Sequence, residues 1–288
     1  MSAKVGLSAQ GIEISSPDRE LFPGLTKRDL VRYYEAVAGA MVPHIRHRLL
    51  TLRRFPRGVT APGFVQQHDN GGLPAAFRSM PVTEASGAVE PHLYIEDAAG
   101  LIAGVQMAAL ELHGWGSRIE DLDTPDRLVF DLDPDPSIGF REVAAAARAI
   151  RERLGTVESW PLLSGGKGVH VVVTLGPKHD WDAVSGFARR FAEGMAEAES
   201  NRYIAEISKT ERAGRIFIDW LRNQRGATAV MPFSTRAKPH APVAMPIGWD
   251  DLDGIDAADA FTVRHVLDEG FRMPDGWGAR PQRLPEQD

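Results

Sequence analysis

The chain has 288 residues, 43% of them hydrophobic and 25% charged, with no cysteine and a net charge of −6. That length supports one large domain or two small ones, and the missing cysteine excludes disulfides and zinc–thiolate sites. The acidic balance argues against a general nucleic-acid coat protein but leaves room for a local basic patch. No run approaches the roughly 18 apolar residues that span a bilayer. "MSAKVGLSAQ" lacks the basic region and apolar run of a signal peptide, and a chain without cysteine suits the cytoplasmic protein expected here.

In chain order, residues 16–40 read as helix in two pieces. Ser16 before Pro17 suits an N-cap with a first-turn proline. "FPGL" interrupts, and Thr26 with Asp29 then opens a second helix as a capping-box variant. Leu30, Tyr33, Tyr34 and Val37 form its apolar face. Residues 46–57 carry Arg46, Arg48, Arg53, Arg54 and Arg57. "LIAGVQMAALEL" (101–112) reads as helix, "RLVFDLD" (127–133) as a strand stopped by Pro134, and 139–154 as an alanine-rich helix. Residues 168–175 read as a β-branched strand, 181–198 as a helix and 214–221 as a strand. Residues 223–250 read as irregular, 257–270 as a last helix, and the tail from about 277 to 288 as loose. The class is therefore α+β, mixed, and a single catalytic domain over 1–288 is expected, with the N-terminal part (about 12–60) packed on it.

Three stretches carry chemistry. In "VFDLDPDP" the period of two puts Asp131 and Asp133 on one strand face and Leu128, Phe130 and Leu132 on the other. Two adjacent carboxylates repel, and a hard divalent cation such as Mg²⁺ or Mn²⁺ removes the conflict. A solvated acidic turn is the alternative, and Asp135, beyond Pro134, is expected to be turn chemistry. In "LLSGGKGVHVVV" a Ser-Gly-Gly-Lys-Gly turn can offer N–H groups, a hydroxyl and an ammonium to a phosphate chain, with His170 two residues into the strand. It lacks P-loop spacing, and a plain glycine-rich hairpin is equally compatible. In "RIFIDWLR" Asp219 stands inside a buried-looking strand, where it needs either a metal or a cation such as Arg222. Together the three stretches suit a carboxylate triad that holds two ions beside a triphosphate. Arg225, Arg236 and Lys238 are basic residues available to its phosphates.

"ELHGWGS", "DRLVFDLDPDP", "SGGKGVHV", "GRIFIDWLRNQRGATAV" and "PHAPVAMPIGWDDL" occur in that order. They resemble the polymerase domain of bacterial ligase D, a member of the archaeo-eukaryotic primase superfamily that serves non-homologous end joining. The resemblance runs from about residue 12 to about residue 275. It implies a primase-type catalytic core of mixed sheets flanked by helices. It also implies template-dependent nucleotidyl transfer on gapped or broken DNA ends, with NTP preferred over dNTP and Mn²⁺ or Mg²⁺ as two catalytic ions. Asp131, Asp133 and Asp219 match the family's metal-binding acids. Ser164, Gly165, Lys167 and His170 match its triphosphate site, Arg236 a basic residue beside it, and His113 a histidine near the sugar. Arg19 and Lys27 match the grip on the downstream 5′-phosphate, with Arg19 standing where lysine is more usual. Phe55 and Phe64 match template-stacking positions. Gln67 stands where the family often has lysine, and Gly114 where proline is common. The implied partners are DNA with a 5′-phosphate, Ku-type and ligase proteins, and no membrane, in a nucleoid-associated cytoplasmic setting. The resemblance leaves open a stand-alone polymerase or an excised domain.

Two other readings are weaker. Haloacid-dehalogenase-type phosphatases also begin with "VFDLD", but Pro134 and Asp135 occupy places where those enzymes need other residues. A catalytically silent DNA-end-binding module finds no support, because all three acids are present.

Overall fold

The structure is a computed structural model and describes residues 7–176, 179–206 and 211–285. The elements run β1 (Leu7–Ala9), β2 (Ile12–Ile14), β3 (Glu20–Phe22), β4 (Leu25–Thr26), α1 (Lys27–Ile45), β5 (Leu50–Arg54), β6 (Phe64–Gln66), β7 (Phe77–Thr83) and β8 (Val89–Ile95). Then follow α2 (Ala98–Gln106), β9 (Ala109–Trp115), β10 (Arg127–Pro134), α3 (Phe140–Leu154), β11 (Trp160–Leu163), β12 (Val169–Thr174) and α4 (Trp181–Ala198). The chain ends with β13 (Tyr203–Ile204), β14 (Ile216–Asp219), β15 (Thr228–Val230), β16 (Met245–Pro246) and α5 (Val263–Glu269). The class is mixed α/β, as expected. No helix among the described residues is long and apolar enough to cross a membrane.

Contacts group the chain into two compact units. Unit 1 holds residues 1–114, 230–243 and 262–271, and unit 2 holds 115–229, 244–261 and 272–288. Each unit is assembled from separate stretches, which is why no composition break marks a boundary in the sequence.

In unit 1, α1 starts as its sequence dictates. Thr26 Oγ1 accepts from Asp29 N–H and the Asp29 carboxylate accepts from Thr26 N–H at 2.8 Å, a complete capping box stabilising the helix by about 1 kcal/mol. Leu30, Tyr33, Tyr34, Val37 and Met41 are buried on its inner face, and Tyr33 Oη donates to Phe233 O at 2.7 Å. The sheet runs β9-β5-β8-β7, with β6 also on β5. Two readings of this region are corrected. Residues 16–26 hold no first helix: Ser16 lies at φ +50° in a turn, and β3 and β4 form a hairpin through Gly24 at φ +71°. The helix expected over 101–112 ends at Gln106. Ala108 adopts φ +55°, and the remainder enters β9. A continuously apolar run does not itself separate the two periods.

In unit 2 six strands run β13-β14-β10-β12-β11-β16, antiparallel except for β13 and β14. Leu128, Phe130 and Leu132 of β10 are fully buried, and Phe130 meets Phe191 of α4 with centroids 4.6 Å apart. The Arg153 guanidinium of α3 lies over the Phe191 ring and donates to Gly194 O, so α3 and α4 lie side by side on this face. The opposite face of β10 carries Arg127, Val129, Asp131 and Asp133. The tail expected to be loose is docked as far as Leu284, whose N–H donates to His179 Nε2 at 3.2 Å. Trp277 is buried with its Nε1 donating to Pro161 O, and Gln282 bridges Leu175 and exchanges two hydrogen bonds with Glu158. Residues 286–288 lie outside the described residues.

Candidate active site

Strand register brings the predicted acids together. Asp131 stands directly opposite Asp219 on β14 and directly opposite His170 on β12, so the three side chains form one row on one sheet face. Asp133 follows two residues on, at the same face and closer to the strand end. Its side chain is 55% exposed, against 16% for Asp131. Asp135 lies past the ladder, where its Oδ1 accepts from the Ser137 N–H and hydroxyl, the expected turn chemistry.

Cations already engage these acids. Arg222 Nε donates to Asp131 Oδ2 at 3.1 Å, and Arg222 Nη2 reaches Asp219 Oδ2 at 3.0 Å. Asp131 Oδ1 faces His170 Nε2 at 3.3 Å, and Arg212 Nη1 donates to Asp133 Oδ2 at 3.1 Å. Arg222 is placed by the short turn after β14. There Leu221 N–H donates to Asp219 Oδ1, and the Asn223 side chain exchanges two hydrogen bonds with the Val129 backbone, at 2.7 and 2.8 Å. Sequence reading offered Arg222 as a partner of Asp219 in place of a metal. The geometry gives it both acids at once.

The charge balance is uneven. Burial pushes Asp131 upward, but His170 and Arg222 outweigh it and hold the carboxyl well below its usual range. Burial raises Asp133, and the neighbouring Asp131 charge raises it further. Burial also raises Asp219, with Asp131 adding to the rise and Arg222 opposing it. The arginines therefore leave negative charge uncovered. An oxygen-only donor set with excess charge, at the rim of a strand, fits a hard divalent ion.

The turn Ser164–Gly168 adjoins this row. Ser164 Oγ accepts from Gly166 N–H at 3.1 Å and Gly168 N–H at 3.3 Å, Gly165 adopts φ +63°, and Lys167 projects exposed from the tip. A Cβ on Gly168 would fall 1.8 Å from Leu132 O, the carbonyl between the two acids of β10. Glycine is thus required for the turn to touch the strand at this point.

Other predicted residues belong to unit 1. Glu111 collects His113 Nε2 at 2.8 Å, Arg53 Nη1 at 2.9 Å, the Ala237 N–H at 2.9 Å and Arg236 Nε at 3.4 Å. Burial would raise Glu111, but these partners outweigh it and hold it at about 2. Glu111 organises both His113 and Arg236, and the sequence reading passed over it because an acid inside "ELH" gave no signal. Lys27 is buried, its Nζ donating to Ser15 O, Gln106 O and Gln106 Oε1 at 3.0–3.2 Å. Burial, and then the charge of Arg19, lower its pKa, so the two predicted phosphate-binding cations are neighbours. Arg19 itself is exposed. Phe55 is buried, whereas Phe64 is 48% exposed with the Arg54 guanidinium 5.1 Å from its ring centroid.

Comparison with known proteins agrees with this architecture. Residues 26–277 match the family described as LigD, primase-polymerase domain. The multifunctional non-homologous end joining protein LigD of Pseudomonas aeruginosa is 33% identical over 286 residues, covering 96% of this chain and 32% of that protein. The bifunctional LigD of Bacillus subtilis is 27% identical over 262 residues, covering 89% of this chain and 42% of that protein. This chain therefore spans less than half of the length of those relatives. Among solved structures, the polymerase domain of Mycobacterium tuberculosis ligase D in complex with DNA superposes with a TM-score of 0.82 at 29% identity, covering 91% of this chain and 96% of that one. The chain belongs to the LigD primase-polymerase domain family.

Proposed function

We propose that this protein is a template-dependent nucleotidyltransferase that fills gaps and extends DNA ends during non-homologous end joining. The observation that carries the reading is the single row Asp219–Asp131–His170 across three strands, with Asp133 two residues on and the Ser164–Gly168 turn against the same strand. Asp131, Asp133 and Asp219 would hold two divalent ions, Mn²⁺ or Mg²⁺. When bound, these supply charge neutralisation of the triphosphate and activation of the primer 3′-hydroxyl.

The remaining work falls to the chain's own groups. Arg222 and His170 fix the Asp131 carboxylate from both sides, so its oxygens are oriented before substrate arrives. Ser164 shapes the turn by accepting two of its N–H groups, and the Lys167 ammonium at the tip is free to swing toward phosphate oxygens. We assign Arg19 and Lys27 to a DNA 5′-phosphate, on their proximity and the family resemblance. The nucleotide roles of His113 and Arg236 and the template roles of Phe55 and Phe64 rest on the family. Of the two aromatics, only Phe64 presents a ring to solvent. Preference for ribonucleotides, Ku-type and ligase partners, and a nucleoid-associated setting belong to the same reading.

The test is primer extension on gapped, 5′-phosphorylated DNA with NTP or dNTP and Mn²⁺ or Mg²⁺. Asp131→Ala, Asp133→Ala and Asp219→Ala should each abolish metal-dependent addition while the protein stays folded. Full activity in any of them refutes the assignment. DNA affinity should fall with salt and with loss of the 5′-phosphate. Equal affinity without that phosphate removes Arg19 and Lys27 from the site.

A further inference from the structure

We propose that His68, Glu84 and His92, in unit 1, form a metal site that takes a divalent cation of the zinc class through two imidazoles and one carboxylate. The backbone sets the two histidines side by side. His68 and His92 face each other in an antiparallel bridge, flanked by Asp69 N–H to Pro91 O at 2.8 Å and Leu93 N–H to Gln67 O at 3.0 Å. Their rings stand edge to face, with centroids 4.6 Å apart. Glu84 enters from the β7–β8 hairpin, where its N–H donates to Ala88 O and its carbonyl accepts from Gly87.

The three donor atoms converge. His68 Nε2 and His92 Nε2 are 3.3 Å apart, His68 Nε2 and Glu84 Oε1 3.4 Å, and His92 Nε2 and Glu84 Oε1 2.5 Å. Ligands held tetrahedrally at about 2.0–2.1 Å from zinc stand roughly 3.3–3.4 Å from one another. Two of the three separations already have that value, and the third needs only to open. Without an ion, both imidazoles can turn an Nε2–H toward the Glu84 carboxylate oxygen, which can accept two hydrogen bonds, and those protons must leave when a cation binds. A cation at the centre gives all three lone pairs a common partner.

The donor set also selects the ion. Imidazole suits zinc, copper and nickel, whereas Mg²⁺ and Mn²⁺ prefer oxygen, so this cluster and the carboxylates of unit 2 call for different metals. Two histidines with one glutamate and an open fourth position is a set that zinc takes. The His92 side chain is buried, while those of His68 and Glu84 are 25% and 32% exposed, which leaves an entry path for the ion and a water.

The site would tie down a specific segment. His68 O accepts from Gln66 Nε2 at 3.2 Å, Gln66 Oε1 accepts from Arg54 Nη1 at 2.6 Å, and Arg54 lies against the exposed Phe64 ring. A bound ion therefore fixes residues 64–68 to the β7–β8 hairpin, and Phe64 with them.

The test is Zn²⁺ titration of the chelator-treated full chain by calorimetry, in the parent, H68N, E84Q and the double variant D131N/D133N. The last removes two carboxylates of unit 2 as competing acceptors. One equivalent should persist in D131N/D133N, while H68N and E84Q should bind at least about tenfold more weakly. Co²⁺ in place of Zn²⁺ should give intense visible absorption in the parent and in D131N/D133N but not in H68N. Parent-like Zn²⁺ affinity in either H68N or E84Q, or no uptake by D131N/D133N, overturns the proposal. His68 and Glu84 are both partly exposed. Circular dichroism confirms folding, and if one variant misfolds the other decides.

Discussion

Arg222→Gln tests whether the acids of unit 2 are an incompletely compensated cluster. The substitution removes Nε from Asp131 and Nη2 from Asp219 together, at 3.1 and 3.0 Å, and leaves two largely buried carboxylates opposite each other on adjacent strands. At an effective dielectric of 20 and a charge separation of about 4 Å, each ion pair is worth about 4 kcal/mol before desolvation. The Arg222 side chain is 39% exposed, so solvent screening and its own desolvation reduce the net loss to about 2–4 kcal/mol for the two pairs. All six tryptophans lie in unit 2, so their fluorescence reports the unfolding of that unit. With chelator present, the midpoint should fall by about 5–10 °C. Mn²⁺ should then stabilise the variant more than the parent, since an ion that binds only the folded state adds about 2.7 kcal/mol at a hundred times its Kd. A midpoint within a degree of the parent in chelator, or equal Mn²⁺ responses, refutes the reasoning.

Gly168→Ala should destabilise unit 2 by about 1–3 kcal/mol and sharply reduce nucleotide addition, because its methyl group has no room beside Leu132 O; denaturant unfolding read by tryptophan checks it. Glu111 is held at about 2 against an ordinary 4.5, so its contribution of about 3 kcal/mol is fully present above pH 4.5 and is lost as pH falls from there toward 2. The stability gap between parent and Glu111→Gln should accordingly shrink over that window in acid unfolding followed by circular dichroism. Lys27→Met should cost about 2–4 kcal/mol, because three carbonyl acceptors lose a buried ammonium, whereas Arg19→Met on the surface should stay within about 0.5 kcal/mol and weaken only 5′-phosphate-dependent DNA binding.

Local chemistry was legible where one stretch of chain decides the outcome. The capping box at Thr26, the bounds of α4 and the alternation of β10 all follow from residues within a few positions of each other. The glycine-rich turn was legible as a shape. Failures arose where context decides. The apolar run 101–112 satisfies helix and strand alike, and it is Ala108 in the left-handed region that divides it. Ser16 before Pro17 suits a helix start, but Lys27 N–H and Arg28 N–H return to Arg19 O and Pro17 O and close a turn instead. Pairings that depend on register were out of reach. Asp131 lies against Asp219 only because β14 runs antiparallel to β10 in one register, and a slip of one residue would turn Asp219 to the core face. The same holds for His68 and His92.

That dependence on backbone explains how the candidate site is kept in shape. The row Asp219–Asp131–His170 is fixed by ladder hydrogen bonds, and the face beneath it by Leu128, Phe130 and Leu132 packed against the helices. The turn is set by contact of Gly168 with Leu132 O, one residue from each acid, and no side chain intervenes. Continued by two pairs, the β10–β12 ladder would set Gly168 against Asp133, so a side chain there would displace both the acid and the phosphate-binding turn. Arg222 and Arg212 tune charge on this frame but do not build it. Substitutions of the arginines should therefore act through electrostatics that an added cation can offset, whereas substitution of Gly168 acts on geometry and no ion restores it.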